Sequence, residues 1–229
     1  MLRPRQRRLL RRLRQHHLPL FTVSAIAVLL LYVMRPYPDV VTRLSFATAY
    51  PALVLLAFTL LIGPFNLLQQ KRMPVSSDWR RDIGIWAGIL GLVHTVIGQN
   101  VHLRGRPWLY YIYEDWRKHI TPLRHDLFGF ANYTGLISAI VLLLLLATSN
   151  DYALRALGTP RWKQLQRWNY FAFALAGAHA VAYQVNEKQN ISFVVVVVLS
   201  IAVTIVLQVV GYQIRRTAKR KRVSQEVSH

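Results

Sequence analysis

Six long apolar segments, separated by polar connections, determine what this chain can fold into. They occupy residues 18–34, 46–68, 83–101, 127–148, 168–186 and 191–212. A helix that crosses a bilayer needs about 20 mostly apolar residues, because it rises about 1.5 Å per residue through about 30 Å of hydrocarbon. The pattern therefore predicts an all-α membrane protein that folds as a bundle of six transmembrane helices.

The charge distribution predicts how this bundle is oriented. The 229 residues carry a formal charge of +20, which in a soluble domain would indicate a nucleic-acid partner. Here the charges lie between apolar segments, with 21 basic residues on the face that holds both termini and 8 on the other. Basic loops stay on the cytoplasmic side of a membrane, so both termini are predicted to be cytoplasmic and no nucleic-acid partner is expected.

This topology divides the chain into three parts. Residues 1–17 form a basic cytoplasmic arm, residues 18–212 the six-helix domain, and residues 213–229 a basic cytoplasmic tail. Residues 1–34 also have features of a signal peptide, since a basic stretch precedes an apolar run. That run is longer than the roughly 7–15 residues usual in signal peptides, and no small-residue cleavage site follows it, so a first transmembrane helix is favoured.

The sequence contains no cysteine. This excludes iron–sulfur clusters, thiolate-ligated haem, cysteine zinc sites and a cysteine nucleophile. Any bound cofactor must be held by histidine, methionine, carboxylate or backbone groups.

Two histidines, His94 and His179, lie deep within apolar segments. Each follows the predicted start of its helix by 11 residues, so both lie about 16 Å from the cytoplasmic end. An ionisable side chain in a membrane helix is a functional candidate, and two neutral imidazoles at one level on facing helices suit a b-type haem. Small residues near them would let a flat ring approach: Gly84, Gly91, Gly98, Ala172, Ala176 and Ala182.

Other interpretations stay open at this point. The alternative is that the histidines serve as interhelical hydrogen-bonding groups in a small transporter or structural membrane protein without haem. A proton-relaying transporter would be expected to have carboxylates inside the spans, whereas Asp82 lies at the edge of one. A zinc site would need a third or fourth ligand at the same level, and the spans contain none.

Three stretches of the chain are similar to a known family. They are residues 57–65 (AFTLLIGPF), 79–94 (WRRDIGIWAGILGLVH) and 148–183 (TSNDYALRALGTPRWKQLQRWNYFAFALAGAHAVAY). They resemble the ferric reductase-like transmembrane domain family, most closely its MsrQ/YedZ type, a haem-binding membrane subunit. The resemblance covers about residues 40–212 and implies that His94 and His179 are the axial ligands of a haem b.

One departure from the family pattern concerns the number of haems. Members with four histidines have a second one thirteen residues before each axial ligand, where this chain has Arg81 and Gln166. The resemblance therefore implies one haem here. A second haem would need other ligands, such as His102 or His125.

The resemblance also implies a function. The chain would be an electron-transfer subunit of an oxidoreductase in the bacterial inner membrane rather than a self-contained enzyme, with no catalytic residue of its own. A cytoplasmic flavin reductase, with FMN, or the quinone pool would donate electrons. A periplasmic acceptor, either a methionine sulfoxide reductase or ferric iron, would receive them.

Two groups of residues are candidates for contact with these partners. Basic residues of the inner loops would dock the donor, although the orientation rule already accounts for them: Arg80, Arg81, Arg161, Lys163 and Arg167. Aromatic residues of the outer loop form either an interfacial belt or a cover for the site: Trp108, Tyr110, Tyr111, Tyr113 and Trp116.

Overall fold

A computed structural model describes residues 4–35, 37–69, 74–103, 105–187 and 190–227. These ranges form eight α-helices: α1 (Pro4–Arg12), α2 (Leu18–Met34), α3 (Val40–Leu68), α4 (Ser77–Gly98), α5 (Leu127–Ala147), α6 (Asp151–Gln166), α7 (Trp168–Asn186) and α8 (Ile191–Val227). A π-helical turn, Leu13–His17, joins α1 to α2. The described ranges contain no strand, only an isolated bridge between Ile112 and Leu123. The prediction of an all-α protein is confirmed.

Short polar side chains begin four of the helices. Asp39, Ser76, Asp126 and Asn150 each accept a hydrogen bond from the backbone N–H three residues later, at 2.9, 3.2, 2.7 and 2.8 Å respectively. These bonds satisfy N–H groups that have no partner within the first helical turn. Helices α3, α4, α5 and α6 therefore begin at capping residues that lie in the polar connections.

Helix α3 lies at the centre of the bundle. It packs mainly along α4 and α8 and also contacts α2 and α7, whereas α5 packs chiefly against α7 and α4. Its buried side chains make up much of the hydrophobic core: Phe46, Tyr50, Leu53, Leu56, Ala57 and Leu60. The faces of α4, α5 and α7 that meet around α3 enclose the interior of the molecule.

The two ends of the bundle differ in composition. The connections that follow α2, α4 and α7 lie at one end, which we call the aromatic end after the tyrosines and tryptophans of residues 99–126. The N-terminal segment and the connections that follow α3 and α5 lie at the other, which we call the basic end. The chain alternates between these ends as it runs through α2, α3, α4, α5, α7 and α8.

Four helices are long and apolar enough to cross a membrane. They comprise Leu9–Met34, Val40–Leu68, Leu127–Ala147 and Ile191–Ala218. In the first and last of these only 6% and 11% of the most apolar window is buried, against 44% and 39% in the middle two, so their apolar side chains face outward. Such exposed apolar surface suits lipid. The chain is a multi-pass membrane protein, and α4 and α7, which carry the two histidines, are the two predicted spans that are not among these four.

Three parts of the chain differ from the sequence-based prediction. Helix α4 begins at Ser77, six residues before the predicted start of the third span. The connection after α5 contains a helix, α6, which is kinked at Gly158, where φ is 72° and a residue without a side chain is favoured. The basic tail continues α8 to Val227, because its residues are mostly good helix formers.

A buried carboxylate holds the N-terminal arm against the bundle. Asp82 of α4 is fully buried and accepts hydrogen bonds from Nε of Arg12 at 2.9 and 3.1 Å and from Nδ1 of His16 at 2.7 Å. The His16 ring also stacks on Trp79, with centroids 4.4 Å apart. The acid at the edge of the third predicted span therefore has a structural role. Its partners lie 66 and 70 residues away in the sequence, so no local pattern reveals the contact.

Candidate functional site

His94 on α4 and His179 on α7 face one another inside the bundle. Their ring centroids are 6.0 Å apart, and the ring planes are inclined by 70°. Both side chains line a cavity of about 220 Å³ whose walls come mainly from α3, α4, α5 and α7. The structure thus brings together the two histidines that the sequence identifies as candidates.

Both rings are held by backbone carbonyls of neighbouring helices. Nδ1 of His94 lies 2.9 Å from the carbonyl oxygen of Ser45 on α3, and Nδ1 of His179 lies 2.8 Å from that of Ala131 on α5. Because a carbonyl oxygen can only accept, each Nδ1 must carry the hydrogen. A neutral imidazole then has its lone pair on Nε2, which is the tautomer and orientation that metal-ligating histidines usually have.

The level of the pair in the bundle differs from the predicted one. His94 is 17 residues from the start of α4 but only four from its end, and His179 is seven from the end of α7. At about 1.5 Å per residue, the pair lies about 6–10 Å from these helix ends, near the aromatic end. The two rings share a level as predicted, but the equal count from the helix starts is lost because α4 begins earlier.

The spacing of the rings fits one metal ion between them. An imidazole nitrogen lies about 2 Å from a metal that it ligates, so two rings on opposite sides of one metal have centroids about 6 Å apart. In the part of the chain that the structure describes, no group of three or more His, Cys, Asp or Glu side chains could hold a metal ion. A tetrahedral zinc site needs such a group, whereas a haem supplies four nitrogens of its own. The residues present therefore fit a haem better than a bare ion.

Three of the six predicted small residues line the cavity. Gly91 and Gly98 of α4 and Ala176 of α7 do so, which leaves space beside both rings. The other three have packing roles that bring helices together. Gly84 approaches Thr59 of α3, and the buried residues Ala172 and Ala182 lie against neighbouring helices.

A glycine that the sequence reasoning missed has the closest approach to a ring. A Cβ atom added to Gly135 of α5 would lie 2.5 Å from Nδ1 and 2.8 Å from Cε1 of His179, closer than Cβ atoms are found in proteins. Only glycine therefore allows His179 to reach the carbonyl of Ala131, one turn earlier on α5. The sequence shows Gly135 as one of two glycines in an apolar segment, with Gly129, and does not indicate which side chain it meets.

The cavity becomes polar toward the aromatic end. Its lining there includes Gln99, His102, Asn132, Tyr183 and Glu187. The hydroxyl of Tyr183 donates to Oδ1 of Asn132 at 2.9 Å, and Nε2 of His102 lies 3.3 Å from Oε1 of Glu187. Toward the basic end the walls are apolar and include Leu53, Leu56, Leu142 and Val197. The cavity therefore has a water-excluding part and a polar mouth.

The aromatic residues of the connection between α4 and α5 divide into two groups. Trp108 and Trp116 are exposed, as expected of an interfacial belt. Tyr110 is buried, donates to the carbonyl of Gly98 at 3.0 Å and accepts from the backbone N–H of His102 at 2.8 Å. The tryptophans thus face outward and Tyr110 fastens the loop to the end of α4, while the interfacial belt and the cover for the site stay predictions.

Of the residues considered as ligands of a second haem, His102 lines the polar mouth of the same cavity, whereas His125 and Gln166 lie elsewhere. His125 is exposed in the loop, with its ring 6.0 Å from that of His119. Gln166, at the basic end, lies with Nε2 3.5 Å from Oγ1 of Thr148. Neither shares the cavity that His94 and His179 line.

The basic residues suggested for donor docking also divide into two groups. Nε of Arg80 donates to the carbonyl of Thr59 at 2.9 Å, and Arg81 pairs with Asp151 at 2.9 Å, so both stabilise contacts between helices. Arg161, Lys163 and Arg167 are exposed at the basic end. Only this second group presents free surface for a partner.

Comparison with known proteins assigns the chain to a family. The model of the family "ferric reductase like transmembrane component" matches residues 48–177, which include His94 and end two residues before His179. The protein-methionine-sulfoxide reductase heme-binding subunits MsrQ of Yersinia pseudotuberculosis (strain IP 31758) and Yersinia pestis (strain Pestoides F) are each 34% identical over 133 residues. The alignment covers 58% of this chain and 58% and 57% of these relatives. The chain belongs to the ferric reductase like transmembrane component family.

Proposed function

We propose that this chain is a haem-binding electron-transfer component of the membrane, with His94 and His179 as the two axial ligands of one b-type haem. The observation that carries the proposal is the pair of facing imidazoles, 6.0 Å apart, each anchored through Nδ1 to a carbonyl. The relatives named as heme-binding subunits support it. A haem whose iron has both axial positions filled by histidine suits one-electron transfer rather than oxygen binding.

The protein's own contribution is to fix the ligands and keep the site dry. The carbonyls of Ser45 and Ala131 hold each imidazole in one orientation and tautomer. Gly91 and Gly135 leave room beside the rings. The apolar side chains at the inner part of the cavity exclude water from it. The imidazole rings are held in place and the apolar wall stays dry. The surroundings of the haem would therefore change little when the iron gains or loses one electron.

The membrane topology that this function needs is six spans with both termini in the cytoplasm. The basic end carries a net charge of +17 and the aromatic end +3, counting the connections at each end, which favours the basic end as cytoplasmic. Helices α4 and α7 are less apolar because they line the cavity and contact protein on most sides. The histidines then lie in the half of the bilayer that faces the periplasm.

Reporter fusions test this topology. Alkaline phosphatase inserted at Ile120, an exposed loop residue, should be active, since that reporter works only outside the cytoplasm, whereas a fluorescent protein fused after residue 229 should be bright. If α4 and α7 did not cross the membrane, the loop that contains Ile120 would lie in the cytoplasm. An inactive phosphatase at Ile120, beside an active one at residue 38 as the matched control, would therefore contradict six spans.

The chemical partners follow from the site and the relatives together. We propose that the protein lies in the inner membrane of a bacterium. Because the histidine pair lies nearer the aromatic end, electrons would leave the protein at that end and pass to a periplasmic acceptor. A methionine sulfoxide reductase is the favoured acceptor, since the relatives are named as subunits of one, and ferric iron is the alternative. A cytoplasmic flavin reductase with FMN, or the quinone pool, would donate electrons at the basic end, where Arg161, Lys163 and Arg167 are exposed.

An optical spectrum of the purified protein tests the proposal directly. Protein produced in cells with adequate haem should have the narrow bands of a low-spin b-type haem, and these should sharpen and shift on reduction with dithionite. The expected stoichiometry is one haem per chain. Protein that is folded and lacks haem under these conditions would favour the competing interpretation, in which the histidines only pack or relay protons.

A further inference from the structure

Arg35, between α2 and α3, has a buried donor that no described residue accepts from. Its guanidinium carbon lies 5.0, 5.2 and 5.2 Å from the ring centroids of Tyr37, Phe46 and Phe193. Its Nη1 is buried and has no hydrogen-bond partner among the described residues. Aromatic faces stabilise a cation, but they do not replace the hydrogen bonds that a buried N–H loses on leaving water. The cage therefore holds a guanidinium group that still needs an acceptor.

The carboxylates at this end are engaged with other residues. Asp39 caps α3 and accepts from the backbone N–H and the hydroxyl of Thr42 at 2.9 and 2.8 Å. Glu187, at the cavity mouth, lies beside His102 at 3.3 Å. Neither carboxylate forms a hydrogen bond with Nη1 of Arg35, so a bound ligand would supply an acceptor for it.

The cage of Arg35 adjoins the cavity. Tyr37 and Phe46, two of its three rings, line the cavity wall, as do Tyr50 and Gln184. Gln184 donates to the Tyr50 hydroxyl at 3.0 Å, and its own buried Oε1 has no donor within the described part of the chain. Polar groups with unmet hydrogen bonds therefore collect at this corner, whereas the wall toward the basic end is apolar.

We infer that Arg35 binds a carboxylate of the cofactor, and that the propionate edge of the haem points toward the aromatic end. The inference rests on the proposed function. The two propionates are the only charged groups on the rim of a haem, and the rest of the rim is apolar. The apolar part of the cavity suits the hydrocarbon rim, and the buried Nη1 of Arg35 suits a carboxylate oxygen, with which it makes a charge-assisted hydrogen bond.

A chemically modified cofactor tests this assignment. Haem dimethyl ester has the same ring and iron but neutral esters in place of the propionates. Apo protein titrated with each form, followed by the Soret absorbance, should bind the free acid roughly tenfold more tightly than the ester. In Arg35→Gln this ratio should fall close to one, mainly through weaker binding of the free acid. Arg35→Lys, which keeps the positive charge, should retain part of the preference for the free acid.

Arg43→Gln is the matched control. Arg43 lies at the same end, above the Tyr32 ring at 4.3 Å, and donates to the Tyr32 carbonyl at 3.1 Å, away from the cavity lining. This variant loses the same charge and should keep the wild-type ratio. Comparing ratios between variants also cancels the different solubility of the two haems in detergent.

The outcomes separate the inference from the proposed function. Equal affinity of the wild type for both forms, or a loss in Arg35→Gln that is equal for both, would overturn the role of Arg35 while leaving the histidine ligands in place. Failure of the wild type to form a low-spin complex with either form would overturn the proposed function itself. If Arg35→Gln does not fold, the wild-type ratio and Arg35→Lys still decide the question.

Discussion

Replacing His179 with alanine is expected to remove the low-spin haem spectrum. The change deletes one of the two proposed axial ligands and leaves a space in the cavity wall that Gly135 and Ala176 do not fill. Supporting contacts of ligating histidines alone are commonly worth 10–100-fold in affinity, so loss of the ligand should lower haem occupancy by at least about tenfold. The measurement is the reduced-minus-oxidised absorbance per chain. His94→Ala should behave in the same way, because the two rings have equivalent positions.

Gln166→Ala is the matched control for both histidine variants. Gln166 stands where members with four histidines have an inner ligand, but here its amide lies near Thr148 and outside the cavity. Its replacement should leave the spectrum unchanged. An equal loss of haem from Gln166→Ala would mean that the ligand assignment is incomplete.

Added imidazole distinguishes a ligand from a packing residue. His179→Gly leaves space for a free imidazole, which should restore the low-spin bands at millimolar concentration if the ring's role is to bind iron. A protein in which His179 only held helices together would lose stability in this variant, and free imidazole would restore no haem spectrum. Failure of imidazole to restore the spectrum would support the transporter or structural interpretation over electron transfer.

The sequence predicts the histidine pair because membrane helices admit few polar groups. A histidine in an apolar segment is costly and therefore conspicuous, and two at matched depth suggest a common ligand. The structure places the rings of His94 and His179 with their centroids 6.0 Å apart, and their role as haem ligands stays a prediction. The all-α architecture and the membrane location follow from hydropathy in the same way, whereas the count of six spans depends on α4 and α7, whose composition is closer to that of ordinary buried helices.

Two kinds of feature cannot be predicted from the sequence: those that depend on backbone groups and those that depend on contacts between residues far apart in the chain. The carbonyls of Ser45 and Ala131 orient the rings, and any residue would supply them, so no side-chain pattern identifies them. The contact between Arg12 and Asp82 joins residues 70 positions apart. The seven-residue spacing of Gly84, Gly91 and Gly98 marks one helix face, yet Gly84 packs on α3, outside the cavity lining, because the face is longer than the cavity.

Replacing Gly135 with alanine is expected to disturb the site without touching a ligand. The added Cβ would lie 2.5 Å from Nδ1 of His179, so the ring must move away from α5. The 2.8 Å contact between Nδ1 and the carbonyl of Ala131 would then lengthen or break, which removes the group that fixes the tautomer. Haem occupancy should fall about tenfold, which is the lower range for loss of a supporting contact to a ligand. Haem content per chain and the sharpness of the reduced bands measure this effect.

Gly88→Ala is the control that separates this clash from a general intolerance of alanine in the bundle. A Cβ atom at Gly88 of α4 would meet Leu146 of α5 at 3.7–3.8 Å, which is ordinary van der Waals contact, and alanine favours a helix over glycine by about 1 kcal/mol. Gly88→Ala should therefore keep its haem and be as stable as the wild type or slightly more stable. If Gly135→Ala also kept its full haem content, the His179 ring would not lie this close to α5 in the haem-bound protein. If both variants lost haem together, the cause would be packing between α4 and α5 rather than the orientation of His179.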